Sequence, residues 1–170
     1  MIKILNKNKN NKGSLAIEIV MGCLIFLILL CFLTDIAILT WKFNVISQTN
    51  TYLARTIGIQ SGVKSSTPDN YPGGSIAYAT SSEIYENISK NLNSAGIPDN
   101  MFEVRIGGVK FTRNSNITFD YQKFISTEII VNYKWDMISN FIPGNITNKI
   151  SSKRSVVSEY KERYDSWIGE

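Results

Sequence analysis

From Leu15 to Trp41 the chain is almost uninterruptedly apolar, and a lysine-rich start precedes that run. Ile19 to Thr34 reads IVMGCLIFLILLCFLT without a charge, Asp35 interrupts, and IAILTW follows. About 20 such residues in a helix span the hydrocarbon of a bilayer. The run is too long for the apolar region of a secretory signal, and no A-x-A-like cleavage site follows it. Lys3, Lys7, Lys9 and Lys12 stand before Gly13 with no acidic residue among them. That bias predicts a single-pass protein of the cytoplasmic membrane, with its N-terminus in the cytoplasm and its C-terminal part outside.

Charge is informative once it is divided along the chain. The 170 residues include 18 basic and 14 acidic ones. Four of the basic residues are the leader lysines, so residues 14–170 carry 14 of each sign. The excess of positive charge belongs to the leader, and no nucleic-acid partner is expected. The chain has no histidine, which removes the commonest general base and the commonest metal ligand. Its two cysteines, Cys23 and Cys31, both lie inside the apolar run and read as small hydrophobes. Gly73-Gly74 lacks the Lys-Ser/Thr of a phosphate loop. Asp120 and Glu128 are close enough in sequence to approach across strands, but surface carboxylates account for them. The expectation is a chain without enzymatic function, cofactor or metal.

Glu18 is the residue hardest to place in an inert anchor. A carboxylate in a membrane helix costs about 2.5–3.5 kcal/mol at the centre and less near an end, so it is retained for a reason. Its context is Lys12-Gly13-Ser14-Leu15-Ala16-Ile17-Glu18. This resembles a type IV prepilin cleavage site. The resemblance implies that a prepilin peptidase cuts between Gly13 and Ser14, which makes Glu18 the fifth residue of the mature chain. It also implies that Glu18 pairs with the new N-terminal amine of a neighbouring subunit. A charge buried among apolar helices needs a counter-charge, and the cut would create one.

Asp35 follows Glu18 by 17 residues, and Tyr52-Leu53-Ala54-Arg55 lies farther on. That spacing and the Ala-Arg pair resemble the TadE/TadF-like proteins of Tad-type pilus systems. A proline common in the middle of that family's membrane helix is missing here, and its Glu-Phe-Gly is replaced by Asp35-Ile36-Ala37. The resemblance covers residues 13–60 and, more loosely, 127–160. It implies that Asp35 is a charge at a subunit contact. The residues alone allow equally a solvated carboxylate where the helix leaves the membrane.

Beyond the membrane, Leu39, Phe43, Ile46, Leu53 and Ile57 fall on one helical face. This predicts one helix from about Ser14 to the glycines at 58–62, unless it breaks near Thr49–Thr51. Residues 61–75 read as a loop. Thr80 and Glu83 form a capping box for a second helix, whose stripe is Ile84, Ile88, Leu92 and Ala95 and whose end is Gly96 with Pro98. Alternation predicts strands at 102–106, 109–111, 117–121, 128–135 and 150–157, with turns at Gly107-Gly108, Asn114–Asn116 and Pro143–Asn145. The stretch from Glu159 to Tyr164 reads as a short helix or a tail. Tyr71, Tyr78, Tyr164 and Trp167 are either packing residues or contacts for neighbours.

The predicted class is α+β: a long N-terminal transmembrane helix continuing into an extracytoplasmic domain with a second helix and an antiparallel sheet. The predicted division is a leader at 1–13, a transmembrane helix at 14–41, its extension at 42–62 and a pilin-like domain at 63–170. The expected function is a minor pilin or pseudopilin-like subunit of a Tad-type or type IV filament system, with Gly13 and Ser14 as the processing site and Glu18 and Asp35 as assembly residues. Its expected partners are membrane lipid, a prepilin peptidase and other pilin-like subunits. The alternative is an uncleaved single-pass protein presenting an extracellular binding domain.

Overall fold

The computed structural model describes residues 11–69, 71, 77–135, 137 and 147–159. The leader up to Asn10, Gly73-Gly74, the Pro143–Asn145 turn, Tyr164 and Trp167 lie outside the described residues. The described chain contains a 50-residue helix, a shorter helix and antiparallel strands, an α+β arrangement.

Helix α1 runs from Asn11 to Gln60 without a break. At the point where a break was conceivable, Thr49 and Thr51 turn their hydroxyls back to the carbonyls of Val45 and Ser47, both at 2.8 Å. Each satisfies its polar side chain within the helix, so the threonines do not end it. The contacts divide the chain into two compact units, one of Met1–Leu39 with Trp135–Ile146, the other of Thr40–Lys134 with Thr147–Glu170.

In the first unit the helix is long and apolar enough to cross a membrane, and none of its most apolar window is buried. Leucines, isoleucines and phenylalanines point outward on all sides. A helix that is apolar all round requires an apolar surrounding. Alongside it, Trp135 stacks on Phe32 with ring centroids 6.2 Å apart and planes 8° from parallel.

The second unit is built on a four-stranded antiparallel sheet of order β3-β2-β5-β6. Its strands are β2 (Phe102–Ile106), β3 (Val109–Lys110), β5 (Phe124–Lys134) and β6 (Thr147–Val157). Gly107 and Gly108, at φ 59° and 84°, make the two-residue turn between β2 and β3. Only residues at ease with positive φ match the twist of such a hairpin. The core face of the sheet carries Phe102, Val104 and Ile106 beside Ile125, Ile129 and Val131. Helix α2 (Ser81–Ser94) adds Ile84, Ile88 and Leu92 to that core, and the C-terminal half of α1 adds Ile46, Leu53 and Ile57. The capping box is formed: Thr80 accepts from the Glu83 N–H, and the Glu83 carboxylate accepts from the Thr80 N–H at 2.8 Å.

Several elements differ from expectation. Phe43 is exposed, whereas Ile46, Leu53 and Ile57 of the expected stripe are buried together with Thr49, Asn50 and Gln60. Helix α1 ends at Gln60, within the expected 58–62, and Gly58 inside it is a point of close approach to β6. The stretch at 117–121 forms only β4 (Ile117–Thr118), and this pairs with β1 (Gly62–Val63) instead of joining the main sheet. A Cβ at Gly62 would collide with the Ile117 carbonyl, so the glycine is what lets these two strands meet. Strand β5 begins at Phe124, four residues before Glu128, because buried Ile125 and Thr127 continue the alternation. Trp135 lies outside β5.

Candidate functional site

The residues singled out in the sequence lie on α1. Gly13 and Ser14 are exposed within its first turns. A Cβ added to Gly13 would meet nothing within 4 Å, and the same holds for Gly22. Packing therefore does not demand glycine at 13, although glycine in a helix interior costs about 1 kcal/mol relative to alanine.

Glu18 and Asp35 have opposite surroundings. Glu18 is exposed between Ile17 and Ile19, and among the described residues nothing pairs with it. Asp35 is fully buried. Its two carboxylate oxygens share the main-chain N–H of Met137, which donates at 3.0 Å to Oδ1 and 3.2 Å to Oδ2. The solvated carboxylate expected at a helix exit is thus not what forms. A main-chain N–H that meets an ionised acceptor is satisfied, and the carboxylate gains a charge-assisted partner. One turn earlier on the helix, Phe32 holds the ring of Trp135. Phe32 and Asp35 are three residues apart and so share a helix face. Together they fix the chain at Trp135 and Met137.

Alternation in the sequence puts Trp135 at the end of a strand, and Met137 has no expected role. The alternation Ile129-Val131-Tyr133 extends formally to Trp135, which hides the change of partner. No pattern marks Met137, since its main chain and not its side chain makes the contact.

Elsewhere α1 is tied to the sheet by polar contacts. Asn50 is fully buried and its Nδ2 donates to the Ser152 carbonyl at 2.8 Å and toward the Thr127 carbonyl at 3.4 Å. Asn50 Oδ1 and Thr127 Oγ1 are buried without a hydrogen-bond partner. Lys42 lies over the Tyr133 ring at 5.1 Å, and Arg154 donates to Ser47 Oγ at 3.1 Å. Arg55 lines a depression of about 360 Å³ together with Arg154 and Glu159.

The acidic residues of the sheet region do not converge. Asp120 pairs with Lys123 at 2.6 Å, whereas Glu128 lies opposite Arg105 on one side and Lys153 on the other. Arg105 Nε donates to Glu103 at 2.6 Å. That bond holds the Glu103 carboxyl below its ordinary range and raises the Arg105 guanidinium. Among the described residues no three His, Cys, Asp or Glu side chains come together as a metal site. Tyr71 and Tyr78 meet edge to face at 5.1 Å, each half-buried. No protein-family model, curated protein or solved structure matches the chain.

Proposed function

We propose that this protein is a membrane-anchored structural subunit, a minor pilin or pseudopilin of a Tad-type or type IV filament system. A prepilin peptidase removes the leader between Gly13 and Ser14. Helix α1 then packs among apolar helices of other pilin-like subunits, with the α+β domain outside the cytoplasmic membrane.

The observation that carries this reading is the contrast between the two acids of α1. Asp35 is buried against a main-chain N–H of its own chain, while Glu18 stands exposed on an uncovered apolar helix. A carboxylate so placed is stabilised by an external cation, and the amine created at Ser14 would supply one four residues away in sequence on a neighbouring copy. Glu18 therefore sets subunit register, and Asp35 organises the chain near the other end of the span. Gly13 supports the processing site, since nothing in the packing requires its lack of a side chain.

The test is the N-terminal residue and mass of the protein purified from its native membrane. A chain starting at Ser14 is expected, with Glu18→Ala leaving the cut intact but abolishing recovery in filaments. An intact N-terminus in cells with an active prepilin peptidase would overturn the reading. The protein would then be an uncleaved anchor presenting a binding domain.

A further inference from the structure

We propose that the chain at Trp135 and Met137 is a second membrane-contacting element, seated in the lipid headgroup interface beside the Asp35 end of the span. The inference rests on helix α1 crossing a bilayer.

Its basis is the surface that this segment joins. Phe32 remains 45% exposed with Trp135 stacked on it, and Leu33 and Ile36 beside it are 53% and 38% exposed. Met137 is itself 43% exposed. These exposed apolar side chains stand at the Asp35 end of the uncovered span, so the surrounding of Leu29 and Leu30 is expected to reach as far as Trp135 and Met137. An apolar patch of this kind is not left facing water. Tryptophan is the residue best suited to the boundary, with a large apolar ring and one N–H donor.

Asp35 makes the position tolerable. Main-chain groups in a lipid-exposed setting must be satisfied within the protein, because water is scarce there. The Met137 N–H is satisfied by the Asp35 carboxylate, and the carboxylate is withdrawn from lipid by the same contact. The main-chain N–H then needs no bulk water. The lipid boundary is not forced to stop below Asp35, and it extends to the level of Trp135.

The full chain with Trp41→Phe and Trp167→Phe leaves Trp135 as its one tryptophan of three. Reconstituted into phosphatidylcholine vesicles, its emission is measured with lipids brominated high on the acyl chain or near its end, and with aqueous iodide. A nitrobenzoxadiazole label on Cys23, with Cys31→Ser, reports separately whether the span is in the bilayer. The expected result is blue-shifted Trp135 emission, a greater loss with bromine placed high than with bromine placed deep, and little loss with iodide. Phe32→Ala is expected to reduce the lipid quenching and increase the iodide quenching. A water-like Trp135 spectrum with the Cys23 label still quenched by lipid overturns the inference and leaves the span intact. A Trp135 shielded from both bromine and iodide overturns it in favour of cover by another copy. If neither probe senses lipid, the span itself fails and the inference fails with it.

Discussion

Asp35 and Met137, 102 residues apart in sequence, are joined through a carboxylate that takes one main-chain N–H on both of its oxygens. The contact ties the main chain at Met137 to helix α1. A hydrogen bond to a charged group contributes about 1.5–3 kcal/mol net. Asp35→Ala is therefore expected to speed amide exchange at Met137 by about tenfold to a hundredfold, since each 1.4 kcal/mol is tenfold. Asp35→Asn retains an acceptor oxygen and should show a smaller change. Exchange at Ile129 in the core of β5 is the internal control. Equal acceleration at both amides would mean that Asp35 supports the whole fold and not this contact.

The second tie, at Asn50, has an asymmetry that two substitutions separate. Its Nδ2 is used by Ser152 and Thr127, but its Oδ1 and the Thr127 hydroxyl are buried without partners. Asn50→Ala strips a donor from buried carbonyls and should cost about 1–3 kcal/mol. Thr127→Val removes an unsatisfied hydroxyl at nearly constant volume, so it should be neutral or stabilising. The Thr127 carbonyl that Asn50 reaches is main chain and survives the change. Denaturant unfolding of the full chain in detergent measures both. A clear loss for Thr127→Val would show that its hydroxyl has a partner, such as a buried water.

Gly58 tests how tightly α1 lies on β6. A Cβ there would sit 2.5 Å from Val156 Cγ2 and 3.3 Å from the Val157 carbonyl. Valine is stiff at χ1, and the carbonyl belongs to the strand, so neither yields easily. Alanine gains about 1 kcal/mol in helix propensity, but overpacking a core costs about 1–3 kcal/mol. The net expectation for Gly58→Ala is a loss of stability, seen as a lower thermal midpoint. The double variant Gly58→Ala with Val156→Ala should recover part of it.

These three sites also show what the sequence makes legible. The apolar run, the Thr80–Glu83 cap, the Gly107-Gly108 turn and the stripe Ile84-Ile88-Leu92 are local patterns, and each appears as read. Asn50 and Thr127 interrupt apolar periodicity, and their burial depends on partners 77 and 102 residues away. The helix end near Gly58–Gly62 is legible, but the packing need for Gly58 is not, because the strand that needs its space comes nearly a hundred residues later. Ile117–Thr118 has the alternation of a sheet strand, yet its partner is fixed by Gly62 and not by its own pattern. Asp35 shows the same limit at the candidate site. Its spacing from Glu18 marks the residue, but a main-chain donor leaves no trace in the side-chain sequence.

Glu83 gives the domain a dependence on pH. Its carboxyl is held below the ordinary glutamate range, first by the Thr80 main-chain N–H and then by the Thr80 hydroxyl, against a small opposing effect of burial. A carboxyl with a depressed folded-state value binds its proton less readily than in the unfolded chain. The stabilisation is present in full above the unfolded value, about 4.3 for glutamate, and fades as pH falls through the lower folded value. Glu103 acts in the same direction through Arg105. Stability of the wild-type domain should therefore decline on acidification below about pH 4.3. Glu83→Gln keeps the reach of the cap but cannot ionise, so part of that decline should vanish while stability at neutral pH drops. Thr80→Ala removes the hydroxyl cap and should cost about 0.5–2 kcal/mol at neutral pH. Thermal unfolding of the full chain in detergent, followed at neutral pH and across the acid range, separates these effects. An acid decline in Glu83→Gln as steep as that of wild type would place the titrating group elsewhere, with Glu103 the next carboxyl to replace.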